Sequence, residues 1–513
     1  MQPFRSAHEA ATVALVPRVA IIGSGFSGLC LAIRLKQAGI DTFTIFEKGV
    51  RLGGTWRDNT YPGAACDVPS FAYCFSFAQK TDWSRKWSPQ AEILAYIDEC
   101  ARRFGVLPHV RFGTEIASAR FDAATAAWTL RTTAGEEITA DVLVSAVGQL
   151  NRPSIPDLPG LDAFRGEKFH SARWNHAYDL AGKDVAVVGN AASAIQFIPQ
   201  IAPRVRRLYV LQRSPNWMVP RNDRAYTERE KVRFRRRPWL ARFYRSWLWF
   251  RLETAFFPVI RRNNFMSRAV ERHARQYMEE HVTDPALRAV LVPDYPPGGK
   301  RLLISDDYYQ TLGRPNVELV TAGIDRFTED AIVVRDGRRL PVDCVILATG
   351  FESTAFLAPM RIEGRDGRSL HDEWQRGARA YLGLSVAGFP NLFMMYGPNT
   401  NLGHNSIIFM IECQAQYIMD CLAQMRARDA AWIDLRPEVM EAYNAELERK
   451  LAGTVWAATG KSWYKTADGT ITNNWPGTTV RYWWETRHAD LARYEVVARA
   501  AGASAAARKS AAA

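Results

Sequence analysis

The β-branched run Val19 to Ile22 breaks into Gly23-Ser24-Gly25-Phe26-Ser27-Gly28 and resumes as LCLAIRLKQAG, with helical apolar spacing and a terminal Gly39. The next run, TFTIFEKG, alternates like a strand and ends on Glu47, 19 residues beyond Gly28. A G-x-G-x-x-G alone says little. Here it arrives with its strand, its helix and an acid at the expected offset of about 20 residues, which spells one βαβ unit of the dinucleotide-binding type. Each glycine has a separate duty: Gly23 permits the tight turn, Gly25 lets backbone approach a pyrophosphate, and Gly28 lets helix and strand pack closely. The helix start at Phe26 and Ser27 attracts phosphate through unpaired backbone N–H groups. Glu47 is expected to accept hydrogen bonds from a ribose, with Lys48 beside it at the same cofactor.

The pattern returns 166 residues later, from Gly23 to Gly189. KDVAVVG reads as a strand, Gly189-Asn190-Ala191-Ala192-Ser193-Ala194 as the turn, AIQFIPQIA as a helix start and RLYVLQRS as the following strand. Ala191 and Ala194 stand where later glycines would be. Arg213 lies 19 residues after Ala194, where a site for bare ribose would carry an acid. An arginine there suits a 2′-phosphate, so the second nucleotide is expected to be NADP. Ser193 and Gln196, at the start of the second helix, are expected to meet its phosphates. Two such units on one chain imply electron transfer between a tightly held and an exchangeable cofactor, for which FAD and NADPH are the natural pair.

The rest of the chain narrows the class. Its 513 residues predict two to four domains at roughly 150 residues each. Cysteines at 30, 66, 74, 100, 344, 413 and 421 form no C-x-x-C pair, which argues against a disulfide framework, a zinc ribbon and a dithiol reductase, and fits a reducing, cytoplasmic setting. No apolar stretch reaches the ~18 residues of a membrane span. Neither metal-ligand spacing nor a G-x-S-x-G elbow is present.

The expected organisation is α/β: two Rossmann-like dinucleotide-binding domains, for FAD and NADP, with a helical insert. The FAD-binding domain takes residues 1–150 and 381–500, the NADP-binding domain 151–223 and 298–380, and the insert 224–297. An Ala-rich tail, 501–513, is expected to be disordered. The net charge of +13 is concentrated: Arg224 to Arg262 holds 12 Lys plus Arg against 3 Asp plus Glu, a local +9 that leaves +4 for the remainder. Nucleic acid is therefore not an expected partner. Weak peripheral membrane contact through the aromatic-rich insert, or a merely solvated helical face, both fit this charge.

Two stretches carry a family likeness. Gly53-Gly54-Thr55-Trp56-Arg57-Asp58-Asn59-Thr60-Tyr61-Pro62-Gly63-Ala64-Ala65-Cys66-Asp67 resembles the G-G-x-W-x-x-x-x-Y-P-G-x-x-x-D stretch of Baeyer–Villiger monooxygenases, class B flavoprotein monooxygenases. Phe164-x-Gly166-x-x-x-His170-x-x-x-Trp174 resembles their second fingerprint. In the related N- and S-oxidising flavin monooxygenases the last position is usually Tyr or Phe, so Trp174 favours the Baeyer–Villiger branch.

The resemblance implies that reduced flavin and O2 form a C4a-peroxide that attacks a ketone, giving an ester or lactone. Both the peroxide and the tetrahedral adduct carry negative charge on oxygen, so a donor that keeps its proton is needed beside them. Lys300-Arg301 resembles the family's Lys-Arg pair, which implies Arg301 as the stabiliser and Lys300 as a support of the NADP phosphate. Asp67 is expected to pair with Arg301 and orient it. Gly54, Thr55, Trp56 and Tyr61 are placed at the flavin, Gln149 at the flavin or nicotinamide, and Gly189 and Ala191 at NADP. Trp463 resembles a loop tryptophan that closes over NADP. His170 is expected at the junction of the two nucleotide domains. The alternatives are an N- or S-oxidising flavin monooxygenase and, from another class, a basic binding protein.

Overall fold

A computed structural model describes residues 16–262, 264–460 and 462–499. The expected tail at 501–513 lies outside the described residues.

The strand Val19–Ile22 is the centre of a five-stranded sheet in the order Leu392–Met394, Val142–Ser145, Val19–Ile22, Phe43–Phe46, Val110–Arg111. Every pairing in it is parallel. Val19 and Ile21 face a core shared with the helix Phe26–Gln37, while Ala20 and Ile22 face a separate one behind it. Burial on both faces is why this strand is an unbroken apolar run rather than an alternating one. Its last member, Leu392–Met394, comes from far along the chain.

A second five-stranded parallel sheet repeats the plan in the order Val317–Val320, Arg207–Leu211, Asp184–Val188, Cys344–Leu347, Glu167–His170. Val185 and Val187 pack against the helix Ala194–Ile201, and Ala186 turns to the opposite core. The two predicted βαβ units are thus both present, and the fold is α/β with twin Rossmann-like sheets. Two smaller sheets of three or four strands escaped the sequence reading. One places Ile116–Asp122, Ala127–Thr132 and Glu137–Ala140 antiparallel with Arg361–Glu363 at the edge, and the other is the meander Ile324–Phe327, Ala331–Val334, Arg339–Pro341.

The stretch read as an insert is helical: Glu228–Arg236, Pro238–Phe256, Phe265–His281 and Pro285–Leu291. Thr227 opens it with a capping box, its hydroxyl accepting from Glu230 N–H while the Glu230 carboxylate accepts from Thr227 N–H. Glu253, buried on the long helix, accepts hydrogen bonds from Asn405 Nδ2 (2.8 Å), Thr479 N (2.8 Å) and Thr479 Oγ1 (2.7 Å). The insert is therefore fastened to the loop before the helix Ile407–Ala427. No described helix is long and apolar enough to cross a membrane.

Candidate active site

The first glycine turn is built for close approach. Gly23 adopts φ +102°, and a Cβ on Gly28 would lie 2.0 Å from the Gly23 carbonyl oxygen, so neither position accepts a side chain. Gly25 and Gly54, the latter at φ +50°, face each other, and a Cβ on Gly25 would meet nothing nearer than Gly54 Cα at 3.8 Å. That open backbone cradle lies at a helix start with no side-chain cap and no acid in its first turn. The residues present therefore suit an anionic pyrophosphate, and FAD fits this cradle. Phe26 and Ser27 are buried, the Phe26 ring lying edge-on to Tyr73 and Phe75, so their part in the cradle falls to the backbone. Thr55 begins the short helix Thr55–Asp58 after Gly54, and Trp56 Nε1 donates to Tyr73 Oη at 3.2 Å.

Glu47 stands at the predicted strand end but is already occupied. Its carboxylate accepts from Ser24 N (3.1 Å), Ser24 Oγ (2.5 Å), Gly49 N (2.7 Å) and Arg57 Nη1 (2.6 Å). Burial opposes its charge, yet these donors and Arg57 hold its pKa below the ordinary value. A ribose hydroxyl would share this carboxylate with them or displace one. Lys48 beside it is exposed.

The first fingerprint meets the Lys300-Arg301 pair. Arg301 donates from Nε to Asp67 Oδ2 at 2.6 Å, and its Nη2 forms an ion pair with the same oxygen at 2.6 Å, although 234 positions separate the two residues. The Arg301 side chain is 28% exposed. Burial acts to lower its pKa, but Asp67 outweighs that and raises it above the usual arginine value. This donor stays protonated at any working pH. Tyr464 lies close to the pair, and burial pushes its phenol up to about 12 against the pull of Arg301. Tyr396 also lies close and donates to Asn401 Oδ1 at 2.7 Å. Neither tyrosine was singled out from sequence, since nothing local marks them.

Arg213 is exposed just past the strand Arg207–Leu211, and Lys300 Nζ donates to Ser214 Oγ at 2.9 Å. Partial burial and then the nearby charge of Arg213 lower the Lys300 pKa. Two cations and a hydroxyl gathered at one strand end are a donor set for a phosphate, so NADP fits here. Gly189, at φ +110°, shapes the turn, with a Cβ there 2.5 Å from Ala348 O, and Ala191 is exposed.

Gln196 is engaged elsewhere than the phosphates. It accepts from Tyr61 Oη (3.1 Å) and Ala65 N (3.2 Å) and donates to Ala65 O (3.0 Å), bridging the second helix to the first fingerprint. Ser193 is drawn to the same Tyr61 hydroxyl. These contacts set Gln196 between the second helix and the first fingerprint. Trp174 packs within the second unit, its ring edge-on to Phe197, which in turn meets Tyr61 of the first fingerprint. In the second fingerprint the Phe164 ring occupies the space beside Gly166, where a Cβ would sit 2.4 Å from it. His170 ends the edge strand, takes the Ala172 N–H on Nδ1, and burial lowers its pKa to about 4. Burial thus favours the uncharged imidazole at neutral pH.

Gln149 donates from Nε2 to Tyr396 O (3.1 Å) and Gly397 O (3.4 Å), while its buried Oε1 has no partner among the described residues. An orphaned acceptor of this kind costs free energy unless a ligand donor meets it. Trp463 is half-buried against Tyr464, with ring centroids 4.4 Å apart. All seven cysteines are free and buried, and no group of metal-binding side chains occurs among the described residues.

With this geometry in view, the likeness to known proteins can be stated. A family described as flavin-binding monooxygenase-like matches residues 16–361. A Baeyer–Villiger monooxygenase of Streptomyces coelicolor is 44% identical over 482 residues, covering 94% of this chain and 92% of that one. One from Pseudomonas aeruginosa is 43% identical over 481 residues, with 93% and 91% coverage. Among solved structures, a steroid monooxygenase bound to NADP superimposes with TM-score 0.83 at 31% identity, covering 94% of this chain and all of that one (100%). A Rhodococcus cyclohexanone monooxygenase bound to NADP+ gives 0.84 at 28%, with 94% and 99% coverage. The chain belongs to the flavin-binding monooxygenase-like family and, within it, to the Baeyer–Villiger monooxygenases.

Proposed function

We propose that this chain catalyses the NADPH- and O2-dependent oxidation of ketones to esters or lactones, with Arg301 as the stabilising donor and Asp67 as its orienting partner. The observation that carries the reading is the Arg301–Asp67 pair, which joins the first fingerprint to the remote Lys300-Arg301 pair at 2.6 Å. FAD supplies the two-electron chemistry that activates O2, and NADPH the reducing equivalents. Arg301 holds its proton while oxygen atoms nearby carry negative charge, so a lone carbonyl oxygen turning into an oxyanion meets a fixed cation rather than reorganising water. Asp67 holds the guanidinium through Nε and Nη2 and so orients it. Arg213, Lys300 and Ser214 hold the 2′-phosphate that distinguishes NADPH from NADH.

The test is product analysis with the purified flavoprotein, NADPH and a panel of linear, cyclic, aryl and steroid ketones. Ester or lactone is the expected product. Arg301→Ala should lower its formation by about 100- to 1000-fold, the usual cost of losing one oxyanion donor, while NADPH oxidation continues unproductively. Asp67→Asn should uncouple in the same direction and to a lesser degree. An Arg301→Ala variant that oxygenates as well as the parent overturns the assignment.

A further inference from the structure

The long insert helix Pro238–Phe256 has an outward face that neither sheet uses. Trp239, Phe243, Trp247 and Phe250 are 57%, 67%, 43% and 58% exposed. At about 100° per residue these four side chains fall within an arc of about 80°. Arg242 borders the arc on one side and Arg251 on the other, both exposed, and Arg251 lies over the Trp247 ring at 5.5 Å. Phe265, at the start of the next helix, is 77% exposed. Large aromatics of roughly 150–250 Å² each, about half uncovered, present on the order of 400 Å² of apolar surface. A soluble monomer rarely shows that much in one patch without a use for it.

The face is held rigidly. On the helix's inner side Arg245 Nη1 donates to the carbonyls of Phe71 (3.1 Å), Ala72 (3.3 Å) and Cys74 (3.0 Å). Tyr244 lies edge-on to Phe71, Trp249 Nε1 donates to Thr479 Oγ1 at 3.0 Å, and Glu253 is buried in the network already described. The aromatic stripe is thus the outer side of a well-anchored element, and no loose helix has turned its apolar side out.

We propose that this face docks onto an anionic lipid bilayer, with the four rings at the headgroup level and the flanking arginines on lipid phosphates. Trp and Phe in the middle of a helix face with Arg at its borders is the arrangement that lies in the plane of a membrane interface. The partner's sign follows from the local +9 between Arg224 and Arg262. The same charge argues against a second copy of the chain, because a twofold contact would press two such segments together. Bilayer docking would place the enzyme beside apolar ketones dissolved in the lipid, yet the docking itself does not depend on the active-site reading.

The experiment is co-sedimentation of the full-length flavoprotein with vesicles of pure phosphatidylcholine or of phosphatidylcholine with one-third phosphatidylglycerol. The expected result is binding to the anionic vesicles only, with most protein released between 50 and 500 mM salt, on the order of the screening change in that range. A Trp239→Ser/Phe243→Ser/Trp247→Ser/Phe250→Ser variant should bind about tenfold less, with flavin content and turnover of a water-soluble ketone unchanged. Arg242→Glu/Arg251→Glu, which alters only exposed charge, should lose binding as well and serves if the fourfold variant folds poorly. Parent protein that stays in the supernatant, or variants that bind like the parent, would overturn the proposal. So would sedimentation velocity showing a parent dimer that the aromatic variant dissolves.

Discussion

The two glycine turns do the same task in the same fold, and they keep different glycines. Gly23 and Gly189 both adopt positive φ, and a Cβ on either would strike the carbonyl of the equivalent residue on the neighbouring strand, Ala146 at 2.7 Å or Ala348 at 2.5 Å. That glycine is dictated by the sheet. The later ones are dictated by where the helix begins. The first helix starts at Phe26, three residues after Gly23, and the second at Ala194, five after Gly189. In the tighter turn a side chain on Gly28 would collide with Gly23, whereas the wider turn buries Ala194 without conflict. A degenerate fingerprint can therefore mark a longer turn and not a decayed site.

The sharpest way to break this comparison is Gly28→Ala, which should abolish flavin binding: the protein is expected to purify colourless, or not to fold, as judged by visible absorbance. Next come the phosphate contacts of the second unit. Arg213→Ala and Lys300→Ala should each raise the KM for NADPH by roughly 10- to 100-fold, the worth of one charge-assisted hydrogen bond, with kcat nearly kept and discrimination against NADH reduced. Steady-state kinetics with both nucleotides checks this. The smallest effect is expected from Ala194→Gly, which restores the missing glycine. It should cost about 0.5–1 kcal/mol in stability because glycine is a poor helix residue, and leave the KM for NADPH within about threefold. A large gain in NADPH affinity would mean that the alanine had weakened the site.

What could be read from the sequence were features written within some 30 consecutive residues. The strand, turn, helix and ribose-end residue of each unit, Glu47 or Arg213, lie in order along the chain, so Val19–Ile22, Asp184–Val188 and their helices followed directly. Arg301 with Asp67 was reachable only because each lies in or beside a recognisable motif. Gln196 against Ala65, 131 positions apart, was not legible, because a glutamine at a helix start reads equally well as a phosphate ligand. Tyr396 and Tyr464 were hidden for a similar reason: they gain meaning only where two remote loops converge on Arg301. Glu47 was placed correctly but its saturation by Ser24, Gly49 and Arg57 depends on side-chain directions that spacing does not encode.

The strand Leu392–Met394 has a consequence for how the molecule comes into being. It pairs Leu392 with Leu143, 249 positions apart, and is an edge of the first sheet. The last strand of the second sheet to be synthesised is Cys344–Leu347. On the ribosome, then, the later unit can close while the earlier one still waits with Val142–Ser145 as a bare, apolar edge. Such an edge invites pairing with other nascent chains. The order of maturation reverses the order of the genetic text, and the flavin cradle, first to be translated, is among the last to be finished.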